Sequence, residues 1–232
     1  MLTAGDGDEE RSREALSHLC QIYWRPVFAF LCRRGYSVSD AQDLTQDFFV
    51  RVIRGSLLQR ADPQRGRFRS LLLKTLQNFL IDAYDRRTTR KRGGDYQFIS
   101  WDDWTAEAPS QMTLSAKALE SWPAERLFDV RWATTVVEQA MRQLREECES
   151  RGRRRAFDTL SPFLAADRAD VSYSELSKKL GSSLATTKNL VHQMRRRYRD
   201  LLRAAVAETV ESPEQIDDEV RYLCSMLALT ET

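Results

Sequence analysis

Apolar residues recur at every third or fourth position through most of this 232-residue chain, a spacing that predicts amphipathic helices. The stripe within 66–92 consists of Leu72, Leu76, Phe79, Leu80 and Ala83. Further helices are expected at about 14–34, 39–54, 126–149, 153–166, 172–180, 184–207 and 213–227. Alternating apolar and polar residues, the mark of a half-buried strand, do not rise above noise. The sequence therefore predicts an all-α protein.

A change of composition in the middle of the chain predicts two helical lobes. Residues 93–125 carry one Lys against six Asp or Glu, and they lack a helical period. They also hold five large aromatic residues, Tyr96, Phe98, Trp101, Trp104 and Trp122. We expect these rings to attach an acidic linker to one lobe. The predicted divisions are a flexible tail (1–11), a first lobe (12–94), the linker (95–125), a second lobe (126–207) and a C-terminal extension helix (208–232).

Several classes of protein are disfavoured by composition. No apolar run approaches the roughly 20 residues of a membrane span, and the acidic N-terminus is unlike a signal peptide. The four Cys residues are far apart, and neither His lies at metal-ligand spacing from a Cys. We therefore expect a cytoplasmic protein with reduced thiols, no membrane contact, no metal and no cofactor.

Positive charge is concentrated in two blocks. Residues 60–92 contain ten Lys or Arg against three Asp, and residues 176–203 contain eight against one. The whole chain has a formal net charge of only +2, so the remainder is acidic. Two separate cationic helical surfaces are typical of a protein that neutralises nucleic-acid phosphates.

The second block has the layout of a helix-turn-helix. Ser172 and Glu175 form a predicted capping box, and Gly181 opens a turn before a longer helix. The buried stripe of that helix is expected to be Leu184, Thr187, Val191, Met194, Tyr198 and Leu201. Its other face carries Lys188, Asn189, His192, Arg195, Arg196 and Arg199. A helix of this kind fits the DNA major groove, although a merely solvated charged face gives the same pattern.

Two segments resemble a known family of bacterial proteins, the extracytoplasmic-function (ECF) sigma factors. SDAQDLTQDFFVRV (39–52) resembles their region 2.2, and GRFRSLLLKTLQNFLIDAYDRR (66–87) resembles regions 2.3 and 2.4. The helix-turn-helix at 172–202 is similar to region 4 of the same family. The DLTQ pattern and the extension SPEQIDDEVRYL resemble a subset of these proteins.

The resemblance implies transcription initiation rather than catalysis, with core RNA polymerase and promoter DNA as partners. It assigns contacts with the −10 element to Arg67, Phe68, Arg69, Lys74, Asn78, Asp82, Arg86 and Arg87. It assigns contacts with the −35 element to Thr186, Lys188, Asn189, His192, Arg195 and Arg196. Polymerase binding falls to Gln42, Asp43, Gln46 and Asp47.

Other interpretations compete with these assignments. Phe68 is equally well explained as a core residue, and Asp82 as the partner of Arg86 one turn later. The second lobe alone also suits a transcriptional regulator that binds duplex DNA without polymerase. An enzyme using the acids of 39–52 is disfavoured, because no His, Cys or Lys accompanies them in a catalytic pattern. The C-terminal helix is expected to cover an apolar groove of the second lobe or to bind a partner such as an anti-sigma factor.

Thr45 stands where the family usually has an aliphatic residue, and Gln42 stands where many members have Glu. A Ser/Thr kinase that phosphorylates Thr45 would restore negative charge to this helix and switch polymerase binding on. Alternatively, Gln42 is the capping partner of Ser39, and Thr45 lies in the apolar arc with its hydroxyl bonded to a backbone carbonyl one turn earlier.

Overall fold

A computed structural model describes residues 5–54, 67–89, 121–165, 171–210 and 212–228, without the side chains of 5–16, 18–19 and 85–89. These ranges form eight α-helices and no β-strand, which confirms the all-α prediction. The helices are α1 (Gly5–Arg33), α2 (Val38–Arg54), α3 (Phe68–Thr89), α4 (Ala124–Ser150), α5 (Arg154–Leu160), α6 (Tyr173–Leu180), α7 (Leu184–Ala207) and α8 (Ile216–Ala228). Short 3₁₀ turns occupy Ser161–Phe163 and Pro213–Gln215. None of these helices is long and apolar enough to cross a membrane.

The chain divides into two compact units whose limits differ from the predicted lobes. Unit 1 contains residues 1–135 and 208–232, and unit 2 contains residues 136–207. The first half of α4 and the whole of α8 therefore belong with α1, α2 and α3. We expected these segments in the second lobe and in a separate extension. Most of the predicted linker, 90–120, lies outside the described residues.

Aromatic rings join the helices of unit 1. Tyr23 on α1 packs edge-to-face on Phe68 at the start of α3, with ring centroids 5.6 Å apart. It also stacks on Phe128 of α4 at 6.2 Å. Phe48 on α2 meets Phe79 on α3 at 5.6 Å. Because four helices share these contacts, the core fixes where α2 and α3 present their outer faces.

Helix α1 is longer than the sequence pattern indicated. It begins at Gly5, within the stretch predicted as a tail, and it continues through Pro26. The helix ends as expected at Gly35, whose φ of +91° lies in the left-handed region. The amide of Tyr36 donates to the carbonyl of Leu31 at 3.2 Å and closes the last turn.

Trp122, at the end of the predicted linker, is held by unit 1. Its carbonyl accepts a hydrogen bond of 2.6 Å from Nε of Arg33, and the guanidinium of Arg126 lies 4.3 Å from its ring centroid. The ring packs beside Leu127 and Val130. This aromatic residue attaches the chain to unit 1, as expected; the other four lie outside the described residues.

Helix α8 packs within unit 1, so the expectation that it covers a groove of the second lobe is wrong. Leu223 is buried, and Met226 packs against Leu127 and Val130 of α4. The Tyr222 hydroxyl also donates to Asp129 at 2.6 Å. The amphipathic period of α8 indicated a buried face, but a period does not identify the surface that covers it.

Unit 2 contains the second half of α4 and helices α5, α6 and α7. Its buried side chains include Leu144, Phe157, Leu160, Leu176, Val191, Met194 and Leu201. Arg197 of α7 donates two hydrogen bonds to Glu147 of α4, at 2.8 Å from Nε and 2.5 Å from Nη2. This bidentate contact lowers the pKa of Glu147 below its ordinary value.

Two predicted capping boxes do not form as expected. Helix α2 is capped by Ser37 rather than Ser39: the Ser37 hydroxyl accepts from the amide of Asp40 at 3.1 Å. At the start of α6 the side chain of Ser172 caps no backbone amide. Helix α7 has a cap that the sequence analysis missed, because Ser183 accepts from the amide of Thr186 at 3.1 Å. Each run contains two serines within three residues, so local sequence signals several cap positions equally well.

All four cysteines are free thiols, as expected, although only Cys20 and Cys148 are buried. Burial raises the pKa of Cys20 to about 11.

Candidate nucleic-acid interface

The first three residues predicted to contact the −10 element lie at the start of α3, and two of them are buried. Phe68 belongs to the core with Tyr23, which agrees with its alternative interpretation. Arg69 is only 6% exposed. Arg67, whose side chain is 35% exposed, lies beside it at the edge of the same cluster. In this conformation neither Phe68 nor Arg69 is open to DNA, and their contacts with the −10 element stay predictions.

Arg69 is enclosed by acidic and aromatic side chains of α4 and α8. Its Nη1 donates to Asp129 of α4, and its Nε donates to Oε1 of Glu219 at 3.1 Å. The guanidinium carbon lies 4.3 Å from the Tyr222 ring centroid and 5.0 Å from that of Trp132. Every side of the buried cation therefore has a negative or π-electron partner.

Glu219 of α8 bridges two arginines and is itself fully buried. Its second oxygen, Oε2, lies 3.0 Å from Nε of Arg67. This contact is an ion pair without hydrogen-bond alignment, since Oε2 has no hydrogen-bond partner. We define the four charged groups Arg67, Arg69, Asp129 and Glu219 as the α3–α8 ion cluster.

Burial and neighbouring charges shift the pKa values of Arg69 and of the adjoining Tyr222. Burial acts against the charge of Arg69, but attraction to Asp129 and Glu219 outweighs it and raises the pKa of Arg69 above its ordinary value. Burial, followed by the hydrogen bond to Asp129, raises the pKa of Tyr222. The arginine is therefore held firmly in its charged form.

The outer face of α3 presents a different set of side chains. Lys74 and Asn78 are exposed, as a DNA-contacting face requires. The same face carries Ile81 and Tyr84, which are 62% and 68% exposed. Neither Tyr84 nor Ile81 is among the contacts predicted from the sequence. Large apolar side chains on the solvent side of a helix are the signal, and bases stack on such rings.

Asp82 has a partner on another helix. Nη2 of Arg51 on α2 lies 2.7 Å from Oδ2 of Asp82, and both side chains are about half exposed. The alternative pairing of Asp82 with Arg86 stays a prediction, because the side chain of Arg86 is outside the described part of the structure. The side chains of Arg86 and Arg87 lie outside the described residues, so their roles stay predictions.

Helix α2 presents the residues predicted to bind polymerase. Asp43 and Asp47, one turn apart, are exposed, whereas Gln42 and Gln46 are half-buried. Because Ser37 caps the helix, the proposed pairing of Gln42 with Ser39 does not explain Gln42.

Thr45 faces the core of unit 1 from the opposite side of α2. Its side chain is fully buried, and its hydroxyl donates to the carbonyl of Ala41 at 2.6 Å. The interpretation of Thr45 as a residue of the apolar arc is confirmed.

In unit 2, helices α6 and α7 are joined by a tight turn. Gly181 has a φ of +62°, and the amide of Ser182 donates to the carbonyl of Ser177 at 3.1 Å. The Ser182 hydroxyl also bonds to Thr187 at 2.8 Å, which gives both side chains a polar partner. Leu184, which we expected in the buried stripe, is 46% exposed, because it is the first residue of α7.

The polar face of α7 carries the residues predicted for the −35 element. Five of them are exposed: Thr186, Lys188, Asn189, His192 and Arg196. Arg195 differs, because its Nη2 donates to the carbonyl of Phe163 at 2.7 Å. An open cleft of about 390 Å³ lies along this face and is lined by Leu164, Tyr173, Lys188, Val191, His192, Arg195 and Arg199. Four basic side chains on one cleft suit an anionic ligand.

Comparison with known proteins supports the resemblance to ECF sigma factors. The family described as Sigma-70 region 2 matches residues 19–90, which contain most of α1, all of α2 and α3. A curated relative, the ECF RNA polymerase sigma factor SigE of Mycolicibacterium smegmatis, is 28% identical over 191 residues. The matched segment is therefore similar to region 2 of sigma factors, and most of the chain is similar to an ECF sigma factor. The match to SigE covers 80% of the chain but 61% of the relative, so the chain spans less than two thirds of that protein's length. No solved structure matches the chain.

Proposed function

We propose that this protein is an ECF sigma factor that binds core RNA polymerase and directs promoter recognition, opening of the −10 element and transcription initiation. The observation that carries the proposal is the outer face of α3, which lies within the region 2 match. There Lys74 supplies a cation, Asn78 an amide, and Tyr84 an exposed ring. An unpaired DNA strand requires these groups, because its backbone needs cations and its bases need stacking partners.

The other surfaces complete the proposed division of roles. Asp43 and Asp47 on α2, with Gln42 and Gln46 beside them, form the polymerase-binding face. The exposed face of α7 reads the −35 element as duplex, with Asn189 suited to base edges and Arg196 to phosphate. A protein in this role acts in the bacterial cytoplasm. Membership of the DLTQ subset and control by an anti-sigma factor stay predictions.

Run-off transcription tests the proposal. Core polymerase, free of other sigma factors, is supplied with DNA from upstream of the protein's own operon, with and without the protein. We expect a discrete transcript only when the protein is present. A regulator of the alternative kind binds duplex DNA without polymerase and yields no such transcript. Absence of selective initiation across a broad promoter library contradicts the proposal.

A charge reversal on α2 tests the polymerase-binding face separately. Asp43→Lys should abolish recovery of core polymerase in a pull-down. The substitution replaces an exposed carboxylate with a positive charge, which repels a polymerase surface that binds acids. Asp158→Lys is the matched control, because Asp158 is an exposed acid on α5 of unit 2. Equal recovery by both variants rejects this face.

The proposal includes phosphorylation of Thr45 by a Ser/Thr kinase, and the burial of Thr45 adds a requirement for this step. A kinase reaches the hydroxyl only if α2 leaves its packing, because the side chain has no exposed surface. Thr45→Val keeps the shape and removes the hydroxyl, whereas Thr45→Glu places a charge in the core. If the switch exists, kinase treatment increases polymerase recovery by the wild type but not by Thr45→Val. Equal recovery before and after treatment ends the hypothesis.

A further inference from the structure

Helix α8 places a carboxylate on the residues at the start of α3. Each oxygen of Glu219 faces a different arginine, with Oε1 3.1 Å from Nε of Arg69 and Oε2 3.0 Å from Nε of Arg67. Two non-bridging oxygens of a DNA phosphate bind paired guanidinium groups in the same manner. The carboxylate therefore occupies the position that a phosphate needs.

The charge of α8 adds to this likeness. Its first turn contains Asp217, Asp218 and Glu219, so a run of three acids begins the helix, and the last of them contacts the two arginines. Nucleic acid presents negative charge at similarly short intervals. A DNA phosphate and α8 cannot both contact Arg67 and Arg69.

Few side chains of α8 are fully buried, although Tyr222 and Met226 also contact α4. Within its 13 residues, only Glu219 and Leu223 are buried. One of these two is a charged residue with an oxygen that lacks a hydrogen-bond partner. A buried ion pair is weak evidence for stability, because desolvation opposes the attraction, whereas an apolar residue would secure the helix without that penalty. These features favour a contact that opens over one that only braces the fold.

We propose that α8 is an autoinhibitory strap, whose Glu219 occupies the phosphate position at Arg67 and Arg69 until promoter DNA displaces it. The inference rests on the proposed function and names the regulation of its −10 surface. Release exposes Arg67 and the side of Arg69 turned toward α8, while Asp129 still holds the other side of Arg69.

Amide hydrogen exchange on the wild-type protein tests the strap directly. Peptides from residues 216–228 are compared in the free protein and in the open complex with core polymerase and promoter. We expect their protection to fall when the complex forms, because the helix leaves unit 1. Unchanged or increased protection in an active complex overturns the inference. This measurement needs no variant, so it does not depend on the stability of one.

Initiation by Glu219→Gln gives the second test. Glutamine keeps the shape and can accept from Arg69, but it removes the charge that competes with phosphate. At limiting protein, we expect the rate of initiation to rise about tenfold. A strap that is closed in about nine of ten molecules weakens apparent DNA binding by this factor. Asp158→Asn is the matched control, since it makes the same charge change at an exposed position of unit 2, and it should match the wild type.

The two experiments separate the strap from the function on which it rests. Equal initiation by the wild type and a folded Glu219→Gln protein overturns the strap and leaves the sigma-factor role intact. If neither protein directs initiation at any promoter, the proposed function fails, and the strap fails with it.

Discussion

The exposed ring of Tyr84 leads to a quantitative prediction for Tyr84→Ala. The side chain is 68% exposed, so its truncation should change the free energy of unfolding by less than about 0.5 kcal/mol. If the ring stacks on a base of the opened −10 strand, its loss weakens binding by about 1–3 kcal/mol. This corresponds to about 5- to 150-fold in affinity.

The assay uses core polymerase with each variant and a fluorescent DNA whose −10 segment is single-stranded, and it measures dissociation constants over a range of salt. Tyr84→Phe is the matched control, because it retains the ring and should bind like the wild type. Lys74→Ala should instead reduce the salt dependence by about 0.7 in the log–log slope, as expected for one lost phosphate contact. Wild-type affinity in Tyr84→Ala would refute the stacking argument.

Three further predictions concern the core, the duplex-reading helix and a buried thiol. Phe48→Ala removes a fully buried ring in contact with Phe79, and chemical denaturation should show unit 1 destabilised by about 3–5 kcal/mol. Asn189→Ala should reduce discrimination between −35 sequences at constant salt slope, whereas Arg196→Ala should weaken all duplexes and reduce that slope by about 0.9. Burial raises the pKa of Cys20 from 9.0 to about 11, so the contribution of this thiol to the free energy of unfolding is fully present below pH 9 and is lost as the pH rises through 11. At pH 8, mass spectrometry should find the exposed Cys224 alkylated before Cys20.

The periodic parts of the fold were predictable from sequence. Helices α2, α6 and α7 begin and end within about two residues of expectation, since apolar spacing of 3.6 residues records which side of a helix is buried. The same spacing identified Thr45 as a core residue. The spacing wrongly predicted a buried Leu184, which is 46% exposed because it is the first residue of α7.

Contacts between distant segments were not predictable. Arg69 and Glu219 are 150 residues apart in sequence, and no local sequence pattern around either residue identifies the other as its partner. The resemblance assigns Arg69 to the −10 element, which stays a prediction, but it gives no sign of the buried acid from α8 that pairs with Arg69. Tyr84 was missed for a related reason, because exposure depends on which side of α3 the other helices cover.

The composition of unit 1 from two separated stretches of chain has a consequence during synthesis. Residues 1–135 leave the ribosome before residues 208–232 exist, so the nascent first stretch lacks the acid that pairs with Arg69 and Arg67. At about 5–20 residues per second, this interval lasts roughly 4–20 s. A newly made molecule thus passes through a period in which both guanidinium groups are accessible to cellular polyanions, and completion of translation ends it.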